Sequence, residues 1–217
     1  MLPPIATKIL DNQIDRYANC TKITTNMYTF NTVTLNVVNM HDLLLYNQAM
    51  AKKHAGENAT ANVLFKQCLL MDNETKTNNV GKKYNVYINL ALLSSDYDDI
   101  VSYYEKAMHL CPDRSESYLY FGIYCNQHRN FEKSYELLTI AKNMSYNAVK
   151  DKYPDVKETE YGVYVFDELS VSCYWLKKYD EGLHYLTQII NMPYFKNHET
   201  RLKQNLDFFT TISLTTC

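Results

Sequence analysis

The chain has 217 residues and a formal net charge of -2, so no overall basic field would draw it to nucleic acid. No stretch approaches the roughly 18 apolar residues that cross a bilayer, and Pro3, Pro4 and Lys8 interrupt any apolar signal core. A cytoplasmic protein with no membrane or nucleic-acid partner is therefore expected. With only 5 Gly and 5 Pro, the chain suits helices joined by few tight turns.

Residues 1–39 read as an N-terminal extension of uncertain order, in which Val33, Leu35 and Val37 alternate like a short strand. Helical patterning fills residues 40–217. A weak first unit lies near 43–75, with Phe65 and Cys68 on its second helix. A clearer one lies near 81–114. It holds Tyr84, Ile88 and Ala91, then Tyr97, Ile100, Tyr104 and Ala107, and ends at Pro112, where the helix must stop. Asp96, just before Tyr97, is the expected N-cap. The best unit lies near 115–148. Tyr118, Phe121, Gly122 and Cys125 share one helix face, and Phe131, Ser134, Leu138 and Ala141 share the next. Gly122 and Ser134 are the small residues expected to let those two helices approach, and Asn130 is the expected cap of the second.

An insert follows around 147–161, reading as a polar loop or an extended helix. The last unit lies near 163–196, with Phe166, Leu169, Ser170 and Cys173, then Tyr179, Gly182, Leu186 and Ile189. A closing helix over 197–210, capped by Asn197, completes the chain.

The units share a period. Tyr84 and Tyr118, Tyr97 and Phe131, and Ala107 and Ala141 are each 34 residues apart. That pattern resembles the tetratricopeptide repeat, a helical hairpin that stacks on its neighbours. The resemblance implies an all-α solenoid with a C-terminal capping helix, because an end repeat cannot bury its own outer face. It also implies a non-catalytic scaffold that holds a protein or peptide on its concave helix face. By repeat position that face carries Asn85 and Asn89, then Leu119, Ile123 and Asn126, then Tyr164, Asp167, Val171 and Tyr174. Amides beside apolar and aromatic groups suit an extended peptide. As an inner-face residue, Tyr174 is expected to be replaceable by Ala without harm to the fold.

The stretch 161–170 (YGVYVFDELS), with Tyr174, Trp175, Tyr179, Glu181 and Gly182, and then Arg201-x-x-x-Asn205-x-x-Phe208, is narrower. It resembles the repeat region that follows the catalytic domain in family-2 glycosyltransferases. That implies a second function, an accessory or detached domain of a glycosyltransferase system, with a transferase as partner. Lys177 stands where that family usually has Gly. The catalytic domain itself has no room in this chain.

No enzyme constellation accompanies these features. Asp96-Tyr97-Asp98 spells the D-x-D of cation-binding transferases. It falls between two helices, however, with Tyr97 at a packing position, rather than on a loop after a strand. The six His are scattered, no Cys pair has zinc spacing and no Gly-rich phosphate loop occurs, so no catalytic residue, metal or cofactor is expected. Cys125 and Cys173 fall at core positions, where a thiol serves as a small hydrophobe.

Overall fold

The structure, a computed structural model, describes residues 27–75, 79–190, 192 and 199–215, with the side chains of 27–40, 72–75 and 211–215 left aside. The chain divides into two compact units, Met1–Leu44 and Leu45–Cys217. In the first, the described residues form the start of helix α1 (Met27–His54). This corrects the strand expected at Val33–Val37. Phe30, Val33, Val37, Met40 and Leu44 recur at steps of three and four, so the same residues also fit a helix. Three alternating positions were too short a run to decide. Residues 1–26 and the expected cap Asn197 lie outside the described residues.

The second unit is all-helical among its described residues. After the end of α1 come α2 (Asn58–Thr75), α3 (Val80–Leu93), α4 (Tyr97–Leu110), α5 (Ser115–Gln127) and α6 (Phe131–Lys142). They are followed by a single-turn α7 (Tyr146–Val149), a 3-10 turn (Glu158–Tyr161), α8 (Val163–Trp175), α9 (Tyr179–Ile189) and α10 (Glu199–Thr215). Helices pack in chain order. α3 pairs with α4, α5 with α6 and α8 with α9, and each pair also touches the next.

Local sequence sets the breaks. Gly56 takes a positive φ of 76° between α1 and α2, where a Cβ would be strained. Asn79, Asp96 and Asn130 each accept a hydrogen bond from the backbone N–H three residues on, at 3.0, 3.0 and 3.3 Å, capping α3, α4 and α6. Arg129 and Lys177 both sit at φ 60° two residues before a helix start. Lys177 therefore adopts the left-handed turn that a Gly would take without cost, and the helix change proceeds despite it.

The core runs along the pairs. Leu45, Ala49, Phe65 and Cys68 pack with Val86 and Leu90 of α3. Tyr104 of α4 stacks on Phe121 of α5, ring centroids 5.2 Å apart. Leu119, Leu138, Val165 and Leu169 join α5 and α6 to α8. The 34-residue relation is visible in burial, since Ala107 and Ala141 are both fully buried. It is imperfect at the helix starts. Tyr97 is 55% exposed, and Phe131 is half-buried on Trp175, so neither is the core aromatic its spacing suggests. Cys68, Cys111, Cys125 and Cys173 are buried. Burial pushes the Cys125 thiol up to about 11 and the Cys173 thiol up to about 12, so both stay protonated and inert at neutral pH.

Gly122 is a true close-approach glycine. A Cβ there would meet Leu138 Cγ at 2.7 Å, and Ser134 Oγ donates to its carbonyl at 2.8 Å. Gly122→Ala is expected to lower unfolding free energy by about 1–3 kcal/mol, as overpacking does. Urea titration checks this, and a loss within error of zero would mean that α5 and α6 shift apart freely.

Candidate partner-binding faces

The sequence-predicted residues fall in three regions. On α3, Asn85 and Asn89 face inward contacts rather than open solvent. Asn89 is 7% exposed. Its Oδ1 accepts from Lys53 Nζ at 2.6 Å, and its Nδ2 donates to the Asn85 carbonyl at 2.7 Å. Asn85 Nδ2 donates to Asp155 Oδ2 at 2.7 Å. Asp155 belongs to the insert, which is no plain polar loop. Val149, Tyr153, Val156 and Tyr161 are buried in the α3–α5 core, so the segment folds back over those helices as a strap.

A charged network fixes it. Arg114, just before α5, is 2% exposed. Its Nη2 donates to Glu116 Oε1 at 2.7 Å and to Asp155 Oδ2 at 2.9 Å. The guanidinium lies 4.1 Å from the Tyr84 ring centroid and 5.0 Å from that of Tyr153. Burial works against the Arg114 charge, but the hydrogen bonds and charge of Glu116 and the bonds to Asp155 outweigh it and keep Arg114 cationic. Burial likewise opposes the Asp155 charge, and the bonds from Arg114 and Asn85 prevail, holding its carboxyl below the ordinary range. Further along the strap, Tyr161 donates to Glu116 at 3.2 Å and Tyr120 donates to Glu160. Burial, with Glu116 close by, raises the Glu160 carboxyl.

On α5 and α8, several predicted residues serve the helix joints. Leu119 is fully buried against α8, and Ile123 packs half-buried beside it. Asn126 Nδ2 donates to Glu168 Oε2 at 2.9 Å, and its Oδ1 accepts from Ser172 Oγ at 2.8 Å. Asp167, 6% exposed, is clamped by both Arg201 nitrogens, Nη1 at 3.2 Å and Nη2 at 2.5 Å.

Of the remaining predicted residues, Val171 and Tyr174 come together with residues of α10. Ser170, Val171, Tyr174, Trp175, Asn205 and Phe208 line a cleft of about 180 Å³, floored by Phe209. Trp175 and Phe208 are each 57% exposed at its rim, and Tyr164 on the same helix is 43% exposed. Trp175 is held flat by stacking on Phe131, centroids 5.1 Å apart. Tyr174 meets Phe209 edge-on at 5.7 Å and also contacts Tyr179 and Phe208, so it joins three helices. That corrects the expectation that Tyr174→Ala would spare the fold. Trp175, Asn205 and Phe208 were not among the predicted binding residues. Their signal was the motif of the closing helix and the chain's single Trp.

Asp96, the first residue of the D-x-D string, spends one oxygen capping α4. Among the described residues no group of His, Cys, Asp or Glu is placed to hold a metal ion, and no helix is long and apolar enough to cross a membrane. No protein-family profile and no curated protein matches the chain.

Proposed function

We propose that the chain is a non-catalytic, tetratricopeptide-type solenoid that acts as a protein-interaction scaffold. Its partner is an extended peptide that seats a large apolar side chain between α8 and α10. One observation carries this reading: two aromatic side chains, Trp175 and Phe208, stand more than half exposed around an apolar cleft that also holds Asn205. Burying such rings on a partner yields the kind of aromatic anchor that dominates interface energy. The 34-residue period and the pairwise helix packing support the solenoid.

Selection from a peptide-display library tests it. Peptides enriched on the parent protein are expected to share a large apolar residue and to lose about 2 kcal/mol of affinity, roughly thirtyfold, on Trp175→Ala. Trp175 is the better reporter than Tyr174, because its exposed ring contributes less to the fold. Enriched peptides that bind parent and variant equally, or no enrichment at all, would remove the cleft from consideration.

A second reading places the module beside a glycosyltransferase. It is favoured by the residues of the family-2 resemblance: Asp167 pairs with Arg201, while Asn205 and Phe208 line the cleft, so the motif converges on one face. Under this reading a transferase or its acceptor supplies the bound segment.

A further inference from the structure

The strap brings a carboxylate to a site that the rest of the chain has already built. Arg114 is held by Glu116 two residues on and by the Tyr84 ring, and neither belongs to the strap. Asn85 projects its amide from α3, and Lys53 reaches the neighbouring Asn89. Take the strap away and the Arg114 guanidinium and the Asn85 amide lose the carboxylate they both bind, while Glu116 stays paired with Arg114 and Asp113 loses its strap partners Lys152 and Tyr153. Those two donors favour an added carboxylate by charge-assisted hydrogen bonding. Asp155 supplies it, with its side chain still 42% exposed to solvent. Pro154 just before it restricts the chain and so lowers the entropy lost on docking.

We propose that residues 150–161 are a ligand carried in cis: Asp155 fills a preformed carboxylate receptor made by Arg114 and Asn85, and the strap thereby closes the α3–α5 face to carboxylate-bearing extended peptides in trans. The buried Tyr153, Val156 and Tyr161 keep the strap closed in most molecules. The inference rests on the chain being an interaction module, but it concerns a different face from the α8–α10 cleft.

The strap's own sequence is the probe. A fluorescent synthetic peptide of residues 148–162, and the same peptide carrying Asp155→Asn, are titrated against the full chain and against its Asp155→Ala variant. Hydrogen exchange over 150–161 is followed in both proteins. The variant is expected to exchange faster in the strap, and to bind the parent peptide at least tenfold tighter than the Asp155→Asn peptide. The parent protein is expected to bind both weakly. Unchanged strap exchange in the variant, equal binding of the two peptides, or peptide binding to parent and variant alike would each overturn the proposal and leave the strap a fixed part of the core. If circular dichroism shows Asp155→Ala unfolded, Asp155→Asn, which keeps the side-chain volume, is measured in its place. Neither Trp175 nor Phe208 enters this assay, so its failure is separable from failure of the cleft.

Discussion

Arg114→Ala is expected to lower unfolding free energy by about 3–5 kcal/mol, the range for breaking a buried ion pair from one side. The physical reason is the group left behind. Glu116 is 4% exposed and would be left without its Arg114 partner, beside a second carboxylate at Glu160. The Tyr84 and Tyr153 rings would also lose the guanidinium between them. A second substitution separates the mechanisms. Arg114→Met combined with Glu116→Leu removes both charges and fills the space, so it should recover most of the loss. Arg114→Met alone should not. The deficit should also depend on pH. Asp155 has a folded-state pKa held below its unfolded value, so it stabilises the fold above about pH 4 and ceases to as pH falls through the folded pKa. Arg114→Ala removes the Arg114 share of that contribution in advance and leaves the Asn85 bond. The difference between parent and variant should therefore narrow as pH falls below about 4, as followed by urea titrations between pH 3 and 7. A constant difference over that range would show that lost packing, rather than charge, dominates at Arg114.

What the sequence revealed was what local spacing encodes. Asp96 and Asn130 were readable as caps because a short polar side chain just before an apolar periodic run has one favoured use. Gly122 with Ser134 was readable because small residues recur where two helices must touch. The strap was not readable. Val149, Tyr153 and Val156 do recur at helical steps, but Pro154 interrupts them, and the surrounding Lys and Asp residues suggest solvent. Its anchoring pair, Arg114 and Asp155, is 41 residues apart and has no local signature. The inner-face residues show the same limit. Asn89 and Asn126 sit at positions that a periodic reading assigns to an open surface. Whether an amide there is free depends on Lys53 and Glu168, which arrive from other helices. Val171 and Tyr174 both line the cleft from α8, but the cleft needs α10, whose distance from α8 no pattern within α8 could set.

Tyr104→Ala is expected to cost about 3–5 kcal/mol, the range for emptying a large aromatic site in a core. Tyr104 is 2% exposed and stacks on Phe121 across the junction between α4 and α5, with an interplanar angle of 13°. The packing belongs to the ring and not to the hydroxyl. Among the described residues that hydroxyl has no hydrogen-bond partner, so Tyr104→Phe should cost less than about 1 kcal/mol. The aromatics picked out by the 34-residue spacing supply the contrast. Tyr97 keeps more than half of its surface in water and Phe131 is only half-buried, so Tyr97→Ala and Phe131→Ala should each cost about 1–2 kcal/mol, in proportion to the smaller area they cover. The position of Tyr104 adds a second readout. It links one helix pair to the next, and stacked pairs are held largely by their nearest neighbours. If Tyr104→Ala weakens that junction, the two sides should begin to unfold separately, and the urea m-value should fall along with the midpoint. An unchanged m-value with a lowered midpoint would mean that the strap, which packs into the same core through Val149, Val156 and Tyr161, holds the pairs together without the Tyr104–Phe121 stack.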